Sequence, residues 1–175
     1  TIVNGCERMT GSVFLGAYNT KMGKELKERT SHLNNVRAGT FHSAGMNALR
    51  RFIDIKGDPD GNKVLNCIDA WMTEKGRTEL QPIAKTVASC VSMAKQRGIG
   101  ILFADTDEVW LNMIYHFGLD EDLPEEFEDR MDIVLKLSRV ILQRSNKRAK
   151  EDGYIDFDDM IYLPLLWNLR LFQND

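Results

Sequence analysis

A chain of 175 residues, 43% apolar and 28% charged, has the make-up of one folded globular domain and is long enough to bury a core. No run of eighteen or more apolar residues occurs, which excludes a membrane-spanning helix within these residues. The net charge of −3 conceals a division: residues 1–56 carry nine Lys/Arg against four Asp/Glu, and residues 57–175 carry fourteen against twenty-two. A basic N-terminal part suits contact with phosphate, although exposed charge also serves any solvated surface. Cys6, Cys67 and Cys90 are odd in number and far apart, so they read as free, buried thiols of a protein in the reducing cytoplasm.

Taken in chain order, residues 1–10 (TIVNGCERMT) read as a helix closed by Gly11. Residues 13–17 (VFLGA) form a short apolar run of strand type. A second helix follows through NTKMGKELKERTSHL, with Asn19 or Thr20 as its cap and Met22, Leu26 and Leu33 inward. Val36–Thr40 is a second strand and Phe41–Phe52 a third helix. Strands alternating with helices imply α/β structure and a parallel sheet. The cluster KGDPDGN at 56–62 then breaks the chain, and up to about residue 150 the periodicity is helical. Helices are expected at Val64–Thr73, Ile83–Ala94 and Thr106–Phe117, the last with Val109, Met113 and Phe117 on one face. Pro124 is expected to open a long helix to about Lys150, with Ile133, Leu137, Val140 and Ile141 as its buried stripe. A final helix begins near Asp156, packed through Phe157, Met160, Ile161, Leu163 and Leu166. Two strands alone make a poor parallel sheet, so the sheet is expected to need further strands from outside the chain.

Two segments place chemistry at strand ends. Tyr18 and Asn19 follow the first strand; Thr40, Phe41, His42 and Ser43 stand at the end of the second. Ligands of parallel sheets bind at such carboxyl ends. Tyr18 and Phe41 offer faces on which bases can stack. Asn19, Thr40, His42 and Ser43 offer hydrogen bonds to phosphate or sugar, and Lys21, Lys24, Arg50 and Arg51 surround them with positive charge. The same residue types also fit a plain structural role: core aromatics, and polar caps of two helices. A third segment, IDFDDMIYLPL, holds Asp156, Asp158 and Asp159. Acids at a helix start favour its dipole, and Asp156 is a ready N-cap. A divalent-metal site is the weaker alternative, because adjacent Asp158 and Asp159 point apart on a helix.

Three segments, in this order, resemble the superfamily 1 DNA helicases of the UvrD/Rep/PcrA type and their phage relatives. VFLGAYNTKMGKELKER is similar to that family's A-[FY]-N-x-x-x-[AG]-x-E-L strand and helix. GTFHSAGMNALRR is similar to its T-F-H-S motif and the helix that follows. IDFDDMIYLPL, with Asp156, Phe157, Asp158 and Asp159, is similar to the segment that precedes its Walker B strand. The resemblance implies a partial RecA-like parallel-sheet domain with a large all-helical insertion. Residues 1–56 and 151–175 would belong to the first motor domain, and 57–150 to the insertion. It implies a single-stranded DNA groove at Tyr18, Asn19, Thr40, Phe41, His42 and Ser43, with a second RecA-like domain as partner and no membrane. It places the Walker A loop at or before Thr1 and the Walker B acids beyond Asp175. ATP and Mg²⁺ would then serve the complete enzyme, and neither a cofactor nor catalytic residues are expected for this chain alone. Gly23 stands where the family more often has Ala, which lowers helix propensity by roughly 1 kcal/mol. The rival expectations are a helical binding module without activity, and a metal-dependent hydrolase built on the three Asp residues.

Overall fold

The structure, a computed structural model, describes residues 2–127 and 129–171. It is mostly helical, with one two-stranded parallel sheet. Strand β1 is Val13–Ala17 and β2 is Val36–Thr40, adjacent and in register from Val13 opposite Val36 to Ala17 opposite Thr40. Between them runs α2, Thr20–Arg29. Ahead of β1 lies α1, Ile2–Glu7. This helix is shorter than its sequence suggests. The amides of Arg8 and Met9 bond back only three residues, to Gly5 and Cys6, so a tight turn ends it before Gly11. Thr1, expected to begin that helix, lies outside the described residues.

Helix α2 meets the sheet through small residues rather than through Met22, which is exposed. Gly23 is buried, and a Cβ there would sit 3.4 Å from the Gly39 carbonyl carbon. The periodicity suggested Met22 because apolar size is a stronger signal than the absence of a side chain. Helix α3, Phe41–Arg50, buries Ala44, Gly45, Met46, Ala48 and Leu49. At Gly45 the backbone of a later helix comes so close that a Cβ would lie 1.6 Å from the Met160 carbonyl oxygen. That partner is α8, Asp159–Leu166, which packs against α3 and also against α5.

The rest is helical: α4, Lys63–Lys75; α5, Ala84–Arg97; α6, Asp107–His116; and α7, Met131–Asp152. One core includes Leu49 of α3, Ile68 of α4, Val87 of α5, Trp110 of α6, Ile141 of α7 and Leu163 of α8. The core is thus continuous across residues 57 and 150. Gly153 ends α7 in the left-handed region (φ 75), and a Cβ there would fall 1.9 Å from the Asp54 carbonyl oxygen, so both turn and packing select glycine.

Four details differ from the sequence reading. Pro124 does not open α7. Phe127 bonds Pro124 and Arg130 bonds Phe127, a pair of three-residue turns around a short 3₁₀ segment at Glu125–Phe127, and α7 starts at Met131. Val140 is exposed, and the buried side of α7 runs through Val134, Leu137, Ser138, Ile141 and Ser145. On α6, Trp110 and Ile114 join Met113 inside while Phe117 turns outward. The last helix starts at Asp159 rather than near Asp156, so Phe157 precedes it and is exposed; on α8 itself Ile161 is exposed while Tyr162 and Pro164 are buried. Apolar residues surround these helices on more than one side, so composition alone does not choose the face. Among the described residues no helix is long and apolar enough to cross a membrane.

Candidate nucleic-acid interface

Along a strand, alternate side chains share a face. Phe14, Gly16 and the following Tyr18 therefore line one side of β1. Phe41, the first residue of α3, lies across them. Its ring centroid is 6.1 Å from that of Phe14 and 6.0 Å from that of Tyr18, both edge-to-face. The ring occupies the space that a side chain at Gly16 would need: a Cβ there would be 2.4 Å from Cζ and 2.5 Å from Cε1 of Phe41. Gly16 is thus a gap between two aromatics, and Phe41 fills it. The cluster remains open to solvent, with Tyr18 89% and Phe41 44% exposed. Tyr18 and Phe41, paired on sequence grounds alone, stand side by side because Ala17 and Thr40 are register partners.

The polar candidates divide by what they already do. Asn19 Oδ1 accepts the Met22 amide at 2.8 Å, capping α2. Thr40 Oγ1 accepts the Ser43 amide at 3.1 Å, capping α3, and Ser43 Oγ donates to the Thr40 carbonyl at 2.8 Å. These three are held in fixed orientations by the helix starts. His42 is half-buried next to Phe41. Lys21 and Lys24 are exposed on α2 and make no ion pair among the described residues. Arg50 is exposed in the last turn of α3. Arg51 is turned elsewhere, donating to the carbonyls of Arg170 and Leu171.

The Asp156–Asp159 segment forms a buried lattice. The Asp159 amide donates to Asp156 Oδ1 at 2.9 Å, and the Asp156 amide donates to Asp159 Oδ2 at 3.0 Å, a reciprocal cap of the turn that leads into α8. Two lysines complete it. Lys95 Nζ lies 2.5 Å from Asp156 Oδ2 and 2.7 Å from Asp159 Oδ1, and Lys63 donates to Asp159 Oδ2. Lys63, Lys95 and Asp159 are all at least 97% buried. Burial pushes the Asp159 carboxyl up, but Lys95 and Lys63 outweigh it and hold the group below the usual carboxylate range. Burial and the Asp159 charge push Asp156 up. Burial pulls Lys63 down; it pulls on Lys95 as well, where Asp159 and Asp156 more than restore it. Asp158 instead accepts from Ser92 and Gln96 of α5. The three acids are therefore committed to lysines, amides and α5, and among the described residues no group of three or more His, Cys, Asp or Glu is placed to hold a metal ion.

Residues 136–150 carry six Lys/Arg and no acid, but most of these cations are paired with acids from elsewhere. Arg139 pairs with Asp105 and Asp107, Arg144 with Glu74 and Lys147 with Glu151, while Arg148 lies over the Tyr154 ring. Strand alternation puts Phe14 and Gly16 on the same side as Tyr18, but only the position of the Phe41 ring shows what that side holds. The sequence reading missed Lys63 and Lys95, for which a lone Lys in a helical stretch gives no signal. Comparison with protein-family models, with curated proteins and with solved structures gives no match.

Proposed function

We propose that the chain belongs to the first motor domain of an ATP-dependent DNA helicase or translocase, where it contributes a single-stranded DNA grip and a helical block. In this reading the sheet is part of a RecA-like domain, the helices of 57–150 are its insertion, and a second RecA-like domain completes the groove. The observation that carries it is the exposed pair Tyr18 and Phe41, side by side at the carboxyl end of a parallel strand pair, with Lys21 and Lys24 exposed on the helix that follows Tyr18. Rings open to solvent at such an edge can stack on unpaired bases, which present a π-face whatever their sequence. The fixed Thr40 and Ser43 hydroxyls, with Asn19 and His42, would contact phosphate or sugar. ATP and Mg²⁺ would be held by the complete motor.

Fluorescence anisotropy with a short oligothymidine tests the reading. Stacking contributes ~1–3 kcal/mol per base, so Tyr18→Ala and Phe41→Ala should each weaken binding about 5- to 150-fold. His42→Ala and Thr40→Ala should cost less. Few phosphates are held, so log affinity should fall shallowly with log salt, by about 0.7 per phosphate contact. Binding unchanged in both ring variants would remove the reading.

A further inference from the structure

A second site, independent of the nucleic-acid reading, lies between α5 and α6. We infer that this cavity of about 430 Å³ binds a small aromatic carboxylate, with its ring in the apolar cleft and its carboxylate on Arg97. Ile99 and Met113 are 1% and 5% exposed and form the floor, while Phe103 and Phe117, at 45% and 40%, form the rim. The volume falls in the range of small-ligand sites, which combine apolar walls with a few convergent polar groups.

Arg97 supplies the decisive polar group. Its guanidinium carbon lies 5.5 Å from the centroid of Phe103 and 5.7 Å from that of Phe117. Ring contact of this kind fixes the guanidinium and leaves its five N–H donors unspent. Among the described residues Arg97 makes no ion pair and no acid lines the cavity. That separation is notable because residues 105–132 hold eleven acids, two of which pair with Arg139 instead. Asn112 and His116 add further polar atoms at the cleft, and the His116 ring packs against Phe117 at 4.7 Å. A planar carboxylate matches the guanidinium fork, and an aromatic body matches the floor and rim. The competing account is that Arg97 only offsets the dipole at the end of α5; it requires no ligand.

The probe is phenylacetate, titrated into the ¹⁵N-labelled chain and followed by amide chemical shifts, with phenylacetamide as its neutral twin. The expected result is saturable shifts at Gly98, Ile99, Phe103, Met113 and Phe117 with Kd on the order of 1 mM. Phenylacetamide should bind about tenfold more weakly, and Arg97→Gln should lose a similar factor, as a charge-assisted contact implies. Arg97 is exposed, so the variant should keep the parent's spectrum away from the cleft; if it did not, the acid–amide pair on the parent would decide. Equal binding of acid and amide, unchanged affinity in Arg97→Gln, shifts centred elsewhere, or no shifts at all would each overturn the inference in favour of the dipole account.

Discussion

Gly16→Ala isolates the seat of the Phe41 ring without touching the ring itself. The added methyl would stand 2.4–2.9 Å from three ring carbons, closer than carbon atoms approach. Phe41 is 44% exposed, so the ring can swing outward rather than force the sheet apart. Doing so gives up two edge-to-face contacts, with Phe14 and Tyr18, at ~0.5–1.5 kcal/mol each. Against that, alanine restricts the unfolded chain more than glycine and returns ~0.4–1 kcal/mol. Stability should therefore fall by roughly 1 kcal/mol, and by no more than about 2.6 kcal/mol, read by urea unfolding. Single-strand affinity should fall nearly as far as in Phe41→Ala, because a displaced ring no longer presents the same platform. Oligothymidine anisotropy on the parent, Gly16→Ala and Phe41→Ala measures this. If Phe41→Ala weakens binding and Gly16→Ala does not, the seat is irrelevant to the grip. If Gly16→Ala unfolds the chain, the ring is not free to move and the packing argument is wrong.

Asp159→Asn should destabilise the fold by about 3–5 kcal/mol, since it leaves two buried lysines with one charged carboxylate; chemical denaturation of both proteins checks it. The Asp159 carboxyl is held low in the folded state, so its contribution is complete above the unfolded value near 4 and is lost as pH falls through the lower folded value. The gap between parent and Asp159→Asn should accordingly narrow below about pH 4. Gly23→Ala should raise stability by up to ~1 kcal/mol, because its Cβ meets Gly39 at an ordinary 3.4 Å and helix propensity improves; a lowered melting temperature would show that α2 and β2 pack more tightly than described. Steady-state ATPase assays, with and without single-stranded DNA, should show background turnover only, since no G-K-[ST] phosphate loop occurs in these residues; turnover abolished by Asp158→Ala would restore the hydrolase alternative.

Both strands and the order of the helices were legible in the sequence because short apolar runs, Asn19, Thr40 and the KGDPDGN break are strong local signals. Helix faces were less legible. Val140 and Ile161 continue apolar patterns yet face solvent, while Ser138 and Ser145 are buried on α7. Neighbouring helices decide these faces, and no local pattern records them. The same holds for the lattice below α8. Asp156 and Asp159 are visible as a cap, but their lysine partners come from residues 96 and 61 positions away. At the interface, Tyr18 and Phe41 could be paired from the strand ends alone. The gap at Gly16 could not, because it becomes visible only once Phe41 lies across β1.

In the proposed function, unpaired bases rest on Tyr18 and Phe41. Photocrosslinking with an oligothymidine carrying one 5-iodouracil, followed by digestion and mass spectrometry of the adduct, locates the contact directly. The account predicts adducts on the peptides that contain Tyr18 or Phe41, diminished when unmodified oligothymidine competes. Adducts confined to residues of α4 to α7 would contradict it.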